Sequence, residues 1–277
     1  MKKTWPYTTA IIVSISLLSF LFKQYAQAHG PFQHVKNYSL YYGSSTVQAI
    51  NKLKTKDLII IEPQLFTKDQ IKDIQSKGTL VIGYLSLMEA PAWNLLRSKD
   101  LVPQDYLWQK GERIHFPQWD SYLMDLRQSH YRNLLTAEMQ TSIADKGMNG
   151  VFLDTVGDID DYIKDTTTQT QTREAYVTFL HDVRKQFPQL SIIQNRGFET
   201  LDYSAAYIDA FLWEDWRANW KKDAWMKANV EKLQKEQKKG LTVFTISLHK
   251  ESSPGKEARK LKFIHMNAPD GYTEKVY

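Results

Sequence analysis

Short apolar, β-rich runs alternate with longer amphipathic stretches along nearly the whole chain, and that alternation limits the possible folds more than any other feature. The runs fall at 39–42, 58–61, 80–85, 151–153, 191–193, 210–213 and 241–246, with a short final strand expected over 272–276. Helical candidates lie between them, at 45–53, 68–76, 129–146, 172–186, 201–207, 224–238 and 255–265. Continuous apolar strands that alternate with helices imply a parallel sheet covered on both faces. Eight such units closing on themselves make a barrel of about 250 residues. The chain beyond its first 28 residues is about that size, so the reading is α/β, a (β/α)8 TIM barrel, with one domain over residues 29–277.

The first 28 residues read as an export signal. Lys2 and Lys3 form a basic start, an apolar stretch runs over 9–22, and Ala26-Gln27-Ala28 supplies a small-x-small cleavage site. Lys23 closes the stretch short of the ~20 residues a spanning helix needs. A secreted protein is therefore expected, with an uncleaved anchor, and so a membrane association, as the alternative. There are no cysteines, which excludes disulfides, thiolate metal sites and a cysteine nucleophile. The formal charge of +5 favours loose attraction to anionic surface polymers. The basic cluster over 232–239 is read as a solvated helix face, and no zinc or RNA-binding signature accompanies it, so no nucleic-acid partner is expected. The protein is expected to be a monomer.

Two segments break the rhythm, 89–125 and 158–172, and both would sit on the carboxyl face of the barrel, where active-site loops gather. The Thr/Gln tract that ends the second is read as a flexible solvated loop. The acids are placed with unusual regularity. Glu62 ends the second run, Glu89 follows the third, Asp154 ends the fourth and Glu214 ends the sixth, with Asp125, Asp158 and Asp215 near enough to join them. Helix capping explains any one such acid but explains four strands poorly. Converging carboxyls allow oxygen-ligand binding of Mg²⁺ or Ca²⁺, general acid–base catalysis, or hydrolysis of a glycosidic bond. Trp108, Trp119, Trp213 and Trp216 favour the last, since aromatic faces suit the apolar face of a sugar ring. The seven histidines fall in no HExxH pattern, Ser86 lacks the flanking glycines of a nucleophile elbow, and there is no Gly-rich phosphate loop. No cofactor and no resident metal are expected.

The series DLIIIEP, VIGYLSLMEA, WQKGE, YLMDLR, GMNGVFLDTVGD, FPQLSIIQNRGFE and DAFLWEDW, in that order, resembles glycoside hydrolase family 114, which contains the endo-α-1,4-polygalactosaminidases. The matching elements reach from Tyr38 to the C-terminus. The resemblance implies a TIM barrel, export, and endo-hydrolysis of α-1,4-linked galactosamine or N-acetylgalactosamine in an exopolysaccharide. It places the family's strand-four aspartate on Asp154, as nucleophile, and its strand-six glutamate on Glu214, as acid/base, implying retention of configuration. Tyr41, Tyr42, Glu62, Tyr84, Glu89, Asp125, Asn195 and Arg196 match surrounding positions expected to shape sugar subsites. The family's strand-four motif often continues with a second aspartate; here Gly157 intervenes before Asp158, a departure from that pattern. A barrel that binds the polysaccharide without cutting it is the rival reading, and the presence of both Asp154 and Glu214 argues against it.

Overall fold

The computed structural model describes residues 30–248, 250–272 and 275–277. Eight parallel strands form one sheet in chain order: β1 (Tyr38–Tyr41), β2 (Leu58–Ile61), β3 (Leu80–Ser86), β4 (Gly150–Asp154), β5 (Ser191–Asn195), β6 (Ala210–Trp213), β7 (Thr242–Ser247) and β8 (Ile264–Asn267). β8 comes back against β1, giving a nearly closed (β/α)8 barrel. The helices between strands are α1 (Val47–Leu53), α2 (Lys68–Gln75), α3 (Ser129–Met139), α4 (Thr166–Gln186), α5 (Leu201–Ser204), α6 (Ala224–Gln237) and α7 (Ser253–Lys260). Three of them start at side-chain caps of one kind: Thr46 accepts from the amide of Ala49, Thr67 from that of Gln70, and Asp223 from that of Met226.

The two-residue period of each strand sorts its side chains into two cores. Tyr38, Leu40, Leu58, Ile60, Ile82, Phe152, Ile193, Leu212, Phe244 and Met266 fill the barrel interior. Ile59, Ile61, Val81, Leu85, Val151, Leu153, Ile192, Phe211, Trp213 and Val243 point outward and pack beneath the helices. Gly150 opens β4 where a Cβ would stand 2.4 Å from the carbonyl oxygen of Ser191, so no larger residue fits the pairing of β4 with β5.

Three expectations are corrected here. The eighth strand is Ile264–Asn267 rather than 272–276, because α7 ends at Lys260 and Lys262 takes a left-handed backbone (φ 59°) that turns the chain into the sheet. The helix expected over 255–265 is correspondingly shorter. The Thr/Gln tract is helical from Thr166: Asp165 caps it by accepting from the amide of Thr168, and Arg173, buried two turns on, pairs with Asp160 and Glu199. The 1–28 segment lies outside the described residues, and none of the helices described is long and apolar enough to cross a membrane.

The 89–125 segment forms a cap beside the barrel mouth. Its Glu89–Pro91, Ser121–Leu123 and His115–Phe116 strands make a small antiparallel sheet, and Trp108–Gln109 pairs with Glu112–Arg113 in a separate hairpin. Arg97 pins this cap to the barrel. Its Nη1 donates to the carbonyls of Ser86 and Glu89 and to the Tyr131 hydroxyl, while Nε meets Glu138 at 2.8 Å.

Candidate active site

The same strand parity that fills the interior also selects what projects at its top. Continuing each inward column by one step reaches Tyr42 on β1, Glu62 on β2, Tyr84 and Ser86 on β3, Asp154 on β4, Asn195 on β5 and Glu214 just past β6. All seven line one cleft of about 980 Å³ at the carboxyl ends of the strands, the position at which TIM-barrel enzymes carry out their chemistry. Glu89, Asp158, Arg196 and Trp119 complete the set of expected residues that line it. The structure adds Trp93, Asp161, Tyr162 and Tyr272 to its walls.

Five expected residues lie elsewhere, each for a physical reason. Tyr41 and Trp213 have outward parity; the Tyr41 hydroxyl donates to the carbonyl of Ser44, and Trp213 packs under Phe198 and Trp216. Trp216 is fully buried, its indole N–H held by the carbonyl of Pro254. Asp125 is buried in a two-armed pair with Arg127, and Trp108 stands on the outer hairpin; both border a different hollow. Asp215 also stays out of the cleft lining, where Arg217 pairs with it.

The backbone is bent immediately after the three central residues. Thr155 (φ 62°), Arg196 (φ 54°) and Asp215 (φ 55°) all take the left-handed conformation, at about 1–2 kcal/mol each. For a β-branched threonine this is rare, and local bonds hold it: the Thr155 hydroxyl accepts from the amide of Met88 (2.8 Å) and donates to the carbonyl of Asp154 (2.7 Å). Each bend turns the chain away directly after a strand has delivered its polar side chain to the cleft. Strain at three adjacent strand ends marks where the fold has been shaped for something other than stability.

Asp154 receives the amide of Asn195 at 2.7 Å and the hydroxyl of Tyr84. Glu214 receives the hydroxyl of Tyr272 at 2.8 Å. Tyr42 stands edge-on to both tyrosines, 5.0 Å from Tyr84 and 6.4 Å from Tyr272 by ring centroid. Glu214 is pushed up to about 7, first by burial and then by the charge of Asp154, against the hydrogen bond from Tyr272. The Oδ1 atom of Asn195 is buried with no donor partner among the described residues. The charge of Arg196 and the Asn195 amide also work against the rise at Glu214.

A second carboxyl pair lies beside the first. Glu89 accepts from the Ser121 hydroxyl and stands beside Asp158. Burial, followed by the charges of Glu89 and Asp154, drives Asp158 far above the usual carboxylate range, and its Oδ2 is buried without another partner. Glu62, at the far wall, is pushed up to about 7 chiefly by burial, against the hydrogen bond it accepts from the amide of Gln64. Among the described residues, six carboxyls therefore line the cleft against a single guanidinium, Arg196, in a chain whose overall charge is positive. An acidic, aromatic-walled cleft with one carboxylate held by donors and a neighbouring carboxyl kept protonated has the parts needed to break a glycosidic bond.

The fold is similar to that of the glycoside hydrolase domain of PelA from Pseudomonas aeruginosa, at a TM-score of 0.70 and 18% identity, covering 87% of this chain and 100% of that one. It is also similar to Aspergillus fumigatus Ega3, solved in complex with galactosamine, at 0.65 and 14%, covering 90% and 97%. No match is found among curated protein sequences. Both structural likenesses bear on the barrel alone; what fixes the kinship is the sequence itself, which matches glycoside-hydrolase family GH114 from residue 24 to 273, a span that includes every strand of the barrel and every cleft carboxyl, so that this chain belongs to that family and is a glycoside hydrolase.

Proposed function

We propose that the protein is an exported, endo-acting hydrolase of α-1,4-linked galactosamine or N-acetylgalactosamine exopolysaccharide, with Asp154 as nucleophile and Glu214 as acid/base. The observation that carries this reading is the contrast between two neighbouring carboxyls. Asp154 accepts from the Asn195 amide and is hydrogen-bonded to Tyr84, so donors hold its carboxyl in place in the cleft. Glu214 is held near 7 by burial and by the charge of Asp154, so it can hold and release a proton near neutral pH.

In the first step an Asp154 carboxylate oxygen bonds to the anomeric carbon as the glycosidic C–O bond breaks, and the Glu214 proton passes to the leaving oxygen. In the second, the Glu214 carboxylate takes a proton from water, the resulting hydroxide displaces Asp154, and both carboxyls return to their starting states. Those of the six cleft carboxyls that are ionised would draw in a polymer carrying free amines, which is cationic near neutral pH. Ega3, with the same barrel, was solved with galactosamine, which supports the amino-sugar reading. Export rests on the 1–28 segment and is tested by N-terminal sequencing of protein recovered outside the cell.

Incubation of the purified protein with galactosamine-rich polymer, followed by mass analysis, tests the activity. A ladder of hexosamine oligomers is expected. Intact polymer, alongside cleavage of an unrelated α-glucan or α-galactan, would replace this substrate assignment.

A further inference from the structure

Trp108 and Asp125 match positions that the sequence assigns to the sugar cleft, yet they border a separate hollow of about 390 Å³ on the outer side of the cap. The hollow is a built surface. Trp108 is 49% exposed, and its ring is fixed: the indole N–H donates to the carbonyl of Pro103 at 2.9 Å, and the Arg113 guanidinium lies 4.9 Å from its centroid. Arg113 is also 3.8 Å from the ring of Tyr106, a second wall residue just before the hairpin, so cation–π contact ties the two aromatics together. The floor is Asp125, 4% exposed, gripped by the Nε and Nη2 of Arg127 at 2.8 Å each and by the Gln128 amide at 3.1 Å. An immobilised aromatic face beside planar guanidinium and amide groups is the construction that binds a sugar ring, its apolar face on the indole and its hydroxyls on the fixed polar groups.

Two further observations choose the sugar. The hairpin that carries Trp108 reaches the cleft wall: its Gln109 donates to the carbonyl of Tyr162 at 2.9 Å, and Phe116 of the cap packs on the Tyr162 ring, which lines the cleft. A polymer leaving the cleft over Tyr162 therefore meets the hairpin next. The electrostatics differ, however. The cleft is acidic, whereas here the one lining carboxylate, Asp125, is paired with Arg127, which also feels the charge of Asp165. A free amino sugar gains none of the attraction here that the cleft offers, and a neutral N-acetylated one needs none.

We infer that this hollow is a second sugar-binding site, which takes an N-acetylated hexosamine unit of the same polymer chain while the cleft holds units with free amines. This rests on the proposed function and deepens it, because both sites are filled together only by a partly acetylated polymer. Simultaneous engagement of two sites raises apparent affinity for long chains without altering the chemistry.

The test uses the full chain, wild type and Trp108→Ala, on a short galactosamine oligomer, a long fully deacetylated polymer and a long partly N-acetylated polymer. KM on the partly acetylated polymer should rise about tenfold in the variant, the scale of one lost aromatic contact. Turnover of the short oligomer and of the deacetylated polymer should stay at the wild-type level. Equal KM for variant and wild type on all three would overturn the second site while leaving the proposed activity standing. As a direct check, an N-acetylgalactosamine oligomer titrated into wild-type protein should shift the Trp108 indole N–H resonance, whether or not the chain cleaves it. An unmoved resonance at saturating oligomer would likewise overturn the site, even if the alanine variant proved unstable.

Discussion

Arg97 and Glu138 are as deeply buried as any charged pair described, and their charges answer one another. The guanidinium meets Glu138 at 2.8 Å, two carbonyls and the Tyr131 hydroxyl, while Asn94 donates to the other oxygen of Glu138. A few residues away in sequence from Arg97, Glu89 joins Asp158, Asp154 and Glu214 in a cleft where carboxyls face carboxyls and Arg196 is the only cation among the described residues. Both regions take charge out of water, at a cost of several kcal/mol per ion unless it is paired. The first recovers that cost locally and fixes the cap to the barrel. The second recovers little of it, and its carboxyls respond by holding protons they would otherwise release. The difference separates a charge cluster that serves the fold from one that serves a reaction.

Breaking the cleft should therefore cost activity and spare the fold. Asp154→Asn should lower polymer turnover by a factor on the order of 10⁴, with a melting temperature equal to or above that of the wild type. Glu214→Gln should do the same on polymer but lose far less on a substrate whose leaving group needs no proton. In the wild type, kcat/KM should fall as pH rises through about 7, because Glu214 then enters the reaction without its proton. An alkaline limb that Glu214→Gln retains on the activated substrate would assign that proton to another group.

Arg97→Ala should behave in the opposite way. It strands Glu138 in the interior and should cost about 3–5 kcal/mol, read as a fall in denaturant midpoint, while activity per folded molecule at low temperature changes much less. A collapse of activity without loss of stability would mean that Arg97 belongs to the chemistry.

Glu62 sharpens the contrast with a smaller effect of opposite sign. Its folded pKa is raised from 4.5 to about 7, so its contribution to stability is complete below pH 4.5 and is lost as pH rises through 7. Glu62→Gln keeps an oxygen to accept from the Gln64 amide and should stabilise the protein by about 3 kcal/mol at pH 8, and not at pH 4.5. Thermal melts at the two pH values decide it; equal shifts would show that the carboxyl is not held protonated.

The barrel was legible because seven apolar runs at the right spacing leave few other folds, and the carboxyls were legible because they end those runs. Sorting the rim residues needed the two-residue parity: Trp213 and Tyr41 sit one step out of phase with Glu214 and Tyr42, and their aromatic character masked that. Tyr272 was missed for a tertiary reason. The sequence Ile264-His265-Met266-Asn267 is a weak strand by itself and is fixed by pairing with β7; assigning the final strand to 272–276 hid the tyrosine that donates to Glu214. Helix at the Thr/Gln tract depends on Arg173 reaching Asp160 and Glu199, and the Arg97 network joins residues 8 to 44 positions apart. No local pattern announces either.

The pairing of Asp154 with Glu214 as nucleophile and acid/base is tested most directly by the stereochemistry of the first product. NMR spectra recorded during early cleavage of an α-1,4-galactosamine oligomer, before the released end mutarotates, show which anomer forms first. Double displacement through Asp154 requires the α anomer. Initial release of the β anomer would contradict it, leaving Asp154 to activate water rather than to attack the sugar.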